Sequence, residues 1–481
     1  MEIKKLLRLP LKVAFSLAVL LLVMLFAQPL YAVPRLQQAE EKSLAGEIRV
    51  LLEGHKLWLN YPVSTKRFYE QKSYTPQWLT VSRQDKAWAS MLLLDCVLQF
   101  GLSYNDYRYN EHLPSTLHDI FEKPNHVSLT QQARFEIMLT DDMITFVNQL
   151  HFGVLNPSFT PGFIDSTDNE FRAETVMANA MDQEKLMKVL AGVQPKSKEY
   201  ERLQEYLSSS IRYSDNCYEI PEGELQNVAM NMDRLRWAAI EEDNYILVNI
   251  PAFSLKYYYA DTISEFKVIV GRPSTPTPQL QSHIEYITTG PDRKVSGSVF
   301  IKQVLPNALK DHHYLENNQI TIYDKKGAFV KADRRVLTSI IKDPSGYYAR
   351  QAAGCDNASG AIIFSFPNIY EVSMHDAPDK TVFEQADRAL SKGGISIANA
   401  DSLAALLLKN SGTASRLKEM QEAIISYKKK TFTLNKVTPV KVVYLTSDVL
   451  NGKLVSYTDI YDLDRSLQSI MFPAARPLSM R

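Results

Sequence analysis

Residues 387–408 read DRALSKGGISIANADSLAALLL. Gly393 and Gly394 run into the short apolar strand ISI, and an apolar helix follows. The mouth of such a strand commonly presents a nucleophile or holds an anion on its backbone N–H groups. Yet no cysteine, histidine or acidic residue stands at this turn. Two readings are open: a plain tight turn in which both glycines supply positive φ, or a reaction site whose reacting side chain is missing.

The sequence on either side places this turn in a β-rich region. Upstream, GAIIFSFPNIYEVSMHDAP (360–378) reads as a hairpin turning at Pro367-Asn368 and delivering His375-Asp376 to a strand end. Pairing about that turn sets Ile362 roughly opposite His375. Taken alone, a histidine at a strand end is more often structural than catalytic. Farther upstream, NYILVNIPAFSLKYYYADTISEFKVIVG (244–271) alternates with a period of two, broken at IPAF and YADTI. It predicts two or three consecutive antiparallel strands, and IEYITTG (284–290) adds another. Residues 298–348 are mixed and polar, too long for a plain loop, and read as an insertion with its own structure. Downstream, Asn451-Gly452 marks a C-terminal hairpin.

From about residue 40 to 213 the period is helical instead. WASMLLLDCVLQFGL and RFEIMLTDDMITFVNQLHFGVL put apolar residues at three- and four-residue steps. The fold class that follows is α+β: a helical domain (33–222), a linker helix (223–240), a mostly antiparallel β domain (241–412, insertion 298–348), then a C-terminal helix and hairpin (413–481) packing on what precedes. Lys4, Lys5, Arg8 and Lys12 lead into an apolar run to Ala27, with Ala32 a cleavage position, so residues 1–32 read as a secretory signal. An uncleaved signal anchor is the other reading, because Leu30 is larger than the residue preferred there.

Composition narrows the function classes. The chain has 481 residues, 45% hydrophobic and 22% charged, ordinary for a globular protein with a real core. Lys plus Arg and Asp plus Glu number 54 each, and no basic stripe appears, which argues against a nucleic-acid partner. Only Cys96, Cys217 and Cys355 are present, too few for a disulfide framework. Cys96 lies on an apolar helix as a buried thiol, while Cys217 and Cys355 lie in polar loops, free or paired. No cofactor and no metal-ligand pattern is read.

The order strand, His375, polar stretch, SKGGISI, strand and helix resembles the signature of the L,D-transpeptidases, exported enzymes that cross-link peptidoglycan through a cysteine nucleophile. SYTPQWL and LTDDMITFVNQLHFGVLNP resemble the helical scaffold domain of the large periplasmic type. MDRLRW with YILVNIPAFSLKYYY, then VIVGRPSTPTP, YYARQAAGCDNASGAIIFSFPNIYEVSMHDAP and VVYLTSDV, resemble its catalytic domain. In that family the thiolate attacks the meso-diaminopimelate carbonyl of a stem peptide. The histidine lowers the thiol pKa and shuttles the proton, backbone N–H groups hold the oxyanion, and a second stem's amine resolves the acyl-enzyme into a 3→3 cross-link.

Carried over residue by residue, His375 takes the histidine position. The family's run of Ser, His or Ser, Gly, Cys, apolar residue and Arg falls on Ser391, Lys392, Gly393, Gly394, Ile395 and Ser396. Glycine therefore stands at the nucleophile position, and Ser396 where the arginine is usual. Arg293-Lys294 replaces the Trp-Asn pair that faces the substrate, and only CYEIPEGELQNVA stands where a peptidoglycan-binding module is expected. Losing the nucleophile of such a unit costs roughly 10⁶ in rate, so acyl transfer through position 394 is excluded. Ser391 and Ser396 flank the site but lack a strong base. Cys355 lies seven residues before Ile362, within about 25 Å of chain from the residue roughly opposite His375, as an alternative nucleophile.

The expectation is an envelope pseudoenzyme whose partner is a peptidoglycan stem peptide or an envelope protein. It touches the membrane only through a retained signal, and Arg293, Lys294 and Lys392 either charge the cleft or form a solvated surface. The alternative is a working L,D-transpeptidase with Cys355 as displaced nucleophile.

Overall fold

The computed structural model describes residues 43–54, 57–108, 113–123, 126–168, 170–213, 222–354, 357 and 359–473. Residues 1–32, read above as a secretory signal, and Cys217 and Cys355 lie outside the described residues. Two compact units divide at Gln194/Pro195.

The first unit is helical and is built around one long helix, Leu129–Phe152. Ser128 caps it and Gln131 returns the capping bond. From Leu139 to Leu150 every residue of this helix is buried, whatever its polarity. Its carboxylates serve the surrounding chain. Glu136 accepts the backbone N–H groups of Gln77, Trp78 and Leu79. Asp141 accepts those of Asn60 and Tyr61. Asp142 accepts the N–H of Arg108, whose guanidinium reaches both Asp141 and Asp142 at 2.7 and 2.8 Å. These bonds replace the water that burial removes. Among the described residues no helix is long and apolar enough to cross a membrane.

The second unit is α+β. Its strands are β1 (Tyr245–Asn249), β2 (Ser254–Tyr259), β3 (Thr262–Gly271), β4 (Leu280–Thr289), β5 (Arg293–Lys294), β6 (Ile320–Asp324), β7 (Phe329–Val330), β8 (Tyr347–Gln351), β9 (Ile362–Phe364), β10 (Met374–His375), β11 (Ala389–Ser391), β12 (Ile395–Ile397), β13 (Lys430–Val443), β14 (Ser447–Leu450) and β15 (Lys453–Ser456). The main sheet runs β11-β3-β12-β10-β9-β4-β13-β1-β2, and β2 pairs again with β3, so the ring closes and leaves few free edges. β1, β2 and β3 are consecutive and antiparallel, with breaks at 250–253 and 260–261, as the period-two pattern predicts. β1 is buried on both faces. Ile246 and Val248 enter the main core with Val268, Ile287, Met374 and Ile395. Tyr245 and Leu247 meet Leu203, Leu207, Val228 and Met232 from the helices Lys198–Tyr213 and Glu222–Ala238.

That second contact bears on the domain boundary. The helix Lys198–Tyr213, placed with the helical domain by its amphipathic pattern, lays its apolar face over β1. The β domain likewise does not end at 412. β13 lies inside the ring, antiparallel to β4 and parallel to β1. The hairpin at Asn451-Gly452 forms β14 and β15, both turn residues at positive φ, 52° and 74°. Residues 293–351 form a second sheet, β5-β8-β6-β7. It has an apolar cluster of its own around Phe300, Leu305, Ile322, Leu337 and Ile340.

Candidate active site

β10 and β12 are parallel neighbours, with Met374 beside Ile395 and His375 beside Ser396. Side chains alternate along a strand. Met374 and Ile395, both 0% exposed, point into the core, each contributing about 1.5–3 kcal/mol by burial. The next positions on the same strands point the other way. Ser373, His375, Gly394 and Ser396 thereby line a cleft of about 850 Å³. Its opposite wall comes from the insertion: Val295, Val299, Gln303, Tyr314 and Asn318. The antiparallel partner of His375 across the other edge of β10 is Ile363. The hairpin reading had placed Ile362 there. That rough placement is one residue off, and the turn itself is held by the Asn368 side chain, which bonds Phe366, Tyr370 and Val372.

The imidazole is held by its own backbone neighbour. His375 Nδ1–H donates to the Asp376 carbonyl at 2.5 Å, which leaves the Nε2 lone pair facing the cleft. Burial lowers the pKa of His375, and the Arg293 charge lowers it further against the opposing pull of Asp376 and its carbonyl. Burial thus favours the uncharged ring. The Asp376 carboxylate turns away from it, accepting the Ala361 N–H and pairing with Lys380.

The glycine turn resolves into two unlike residues. Gly393 has φ of +103°, a conformation that favours glycine. Its N–H donates to Ser391 Oγ at 3.1 Å, and Ser391 Oγ–H donates to the Gly394 carbonyl at 2.6 Å. Thr277 Oγ1–H closes the turn on the Gly393 carbonyl at 3.0 Å. Gly394 is different, and the reading that both glycines supply positive φ is corrected here. Its φ lies outside the left-handed region, so nothing in its backbone calls for glycine. A Cβ built there would stand 3.3 Å from Ser373 Oγ, 3.5 Å from the Ser373 carbonyl and 3.6 Å from His375 Nε2. A side chain at this position would be directed toward the base, with Ser373 Oγ yielding by a few tenths of an ångström to admit it.

The remaining residues singled out in the sequence fall as follows. Ser391 is a turn former, engaged at both ends of its hydroxyl. Ser396 is buried beside His375 and lines the cleft. Arg293 and Lys392 line it too. Lys294 lies instead over the Tyr348 ring, 5.1 Å from its centre. Among the described residues no group of three or more His, Cys, Asp or Glu side chains is placed to hold a metal ion. Ser373 was missed in the sequence, although its position two residues before His375 on a strand was signal enough for a shared face. Glu371 and Tyr370 on the rim were missed for a better reason, since the loop that presents them has no periodicity.

Residues 63–207 match the family model of the scaffold domain, and residues 243–441 match that of the L,D-transpeptidase catalytic domain. A putative L,D-transpeptidase of Haemophilus influenzae is 33% identical over 244 residues, which is 50% of this chain and 49% of that protein. The chain thus spans about half the length of the curated relative it matches. The match to the catalytic domain encloses β10, the glycine turn and the whole insertion.

Proposed function

The chain belongs to the L,D-transpeptidase family, and from that premise we propose that it is an exported, peptidoglycan-associated pseudoenzyme. In this reading it acts in the periplasm, receives a stem peptide in the cleft, and performs no acyl transfer. One observation carries it: the position from which a side chain would face His375 Nε2 at 3.6 Å is glycine, with no conformational reason to be so. A base without a nucleophile has nothing to deprotonate, and general-base help by itself is worth about 10²–10⁴. The neighbouring hydroxyls do not replace a thiol. Ser391 is spent on the turn, and Ser373 makes no hydrogen bond to His375.

The test restores the missing atom. Gly394→Cys puts a thiol beside a neutral imidazole, and a carbapenem should then add its mass to the variant while leaving the natural chain unchanged. An adduct on the natural chain would overturn the reading, and its loss on Cys355→Ala would transfer the activity to Cys355. Co-sedimentation with purified sacculi tests the peptidoglycan association.

A further inference from the structure

We infer that the outer face of the insertion sheet, the side turned away from the cleft, docks on an anionic lipid bilayer. This goes beyond the pseudoenzyme reading and does not depend on what the cleft binds. The sequence had confined membrane contact to a retained signal.

Register separates the two faces of the sheet β5-β8-β6-β7. Arg293, Gln351 and Ile320 are partners across it and line the cleft. Ile322, Ala349 and Val330 share that side and pack with Leu337 and Ile340 of the helix Arg334–Lys342. Side chains alternate along a strand, so Lys294, Arg350, Tyr348, Tyr323 and Phe329 point the other way. Tyr348, Tyr323 and Phe329 are partners on three neighbouring strands and form one row. The two tyrosine rings stack at 5.5 Å, and Lys294 Nζ lies over the Tyr348 ring. Phe329, on the edge strand β7, is 66% exposed. A large apolar side chain on a sheet edge invites association, and an edge that met only water would be better served by charge.

Cations surround the row. The whole chain balances 54 basic against 54 acidic residues, yet residues 293–351 hold 11 Lys and Arg against 5 Asp and Glu. Lys325 and Lys326 occupy the turn between β6 and β7, and Lys331 follows Phe329 by two residues. All three are exposed, and none forms an ion pair among the described residues. Gly327, at φ of +83°, folds this turn close to the row, since a Cβ there would stand 3.8 Å from the Tyr348 hydroxyl. The Asp324 carboxylate is drawn back onto the N–H groups of Lys326 and Ala328, 2.9 Å from each. At the far end Asp292 is shared between Arg350 and Lys429.

This combination suits a bilayer better than a folded partner. A protein that buried Phe329 would also have to desolvate the lysines around it. A membrane interface takes both. The phenylalanine ring enters the acyl boundary and the tyrosine hydroxyls stay at headgroup level. The ammonium groups meet lipid phosphates without leaving water.

The test reads binding where it occurs. The full chain is mixed with vesicles of phosphatidylcholine, alone or with about one-third phosphatidylglycerol. Amide hydrogen exchange is followed over residues 320–331, so that contact through any other segment registers separately. With phosphatidylglycerol, exchange in the hairpin should slow, and salt should reverse the effect. Phosphatidylcholine alone should leave it unchanged. Phe329→Ser should raise the lipid concentration for half-maximal slowing by about tenfold. Lys325→Glu and Lys326→Glu together should raise it by about tenfold or more. Lys418→Glu, an exposed charge on the helix Leu417–Ile425, should shift it by less than about twofold. Unchanged exchange with every vesicle, or equal slowing by both lipids, would overturn the inference. Slowing by purified sacculi and not by vesicles would assign the face to the cell-wall polymer and overturn the lipid assignment. Either failure leaves the pseudoenzyme reading standing.

Discussion

The interior of the helical unit and the cleft of the β unit treat polar side chains in opposite ways. Along the helix Leu129–Phe152, Glu136 is fully buried and accepts three consecutive backbone N–H groups as well as the Tyr69 hydroxyl. Asp141 and Asp142 are likewise spent on backbone N–H groups and Arg108. In the cleft, Ser373 Oγ and His375 Nε2 have no such partner among the described residues, and Gly394 beside them has no side chain. A buried polar group that is paired holds the chain in place. One left open toward a cleft is held in place by other atoms and is available to a ligand. His375 shows both at once, with Nδ1 tied to Asp376 and Nε2 free.

The largest effect that would break this contrast is the Gly394→Cys gain. The cleft should pass from no covalent adduct to a stoichiometric one, read by mass. Next is Glu136→Ala, which leaves the N–H groups of Gln77, Trp78 and Leu79 buried and unpaired. It should cost about 3 kcal/mol or more in chemical denaturation, and a loss under 1 kcal/mol would show that water replaces the carboxylate. The two adjacent glycines then give a matched pair. Gly393→Ala forces a side chain into positive φ and should lower stability by roughly 1–2 kcal/mol, whereas Gly394→Ala should cost less, since only the Ser373 hydroxyl has to yield. Equal melting temperatures would refute the distinction between them.

Two smaller effects sharpen the comparison. Burial raises the pKa of Asp142 to about 7, against the attraction of Arg108. The folded chain therefore holds this proton more tightly than the unfolded one. The stability it contributes is full below the ordinary value of 3.8 and is lost as pH rises through about 7. Asp142→Asn should flatten that part of the pH–stability profile, and an unchanged profile would assign it elsewhere. Smallest is Lys392→Ala. Lys392 is an exposed charge on the rim, and its loss should weaken binding of an anionic peptide by about two- to fivefold at low salt and hardly at all at high salt.

Much of the β unit was legible because its signals are local. The breaks between β1, β2 and β3 follow from IPAF and YADTI, and the Asn451-Gly452 turn from two residues that tolerate positive φ. The site's central fact, glycine at 394, is a matter of residue type and could be read directly. What local signals leave open are questions of partnership. The amphipathic helix Lys198–Tyr213 shows one apolar face, and nothing in its own pattern says whether a helix or a strand will cover it. β13, alternating and C-terminal, could not be seated between β4 and β1 from its own residues. The exact partner of His375, Ile363, depends on a long turn held by Asn368 side-chain bonds that no periodicity encodes.

The amino-acid sequence alone determined the α+β class, the place of His375 at a strand end, and the absence of a nucleophile two residues before Ser396, since these depend on period and residue type. The tertiary structure decided that only Gly393 needs to be glycine, that Ser373 joins His375 on one wall, and that the insertion supplies the other. Those facts depend on which distant segments meet, and hydrogen-bond register and packing between strands settle that, not the local chain.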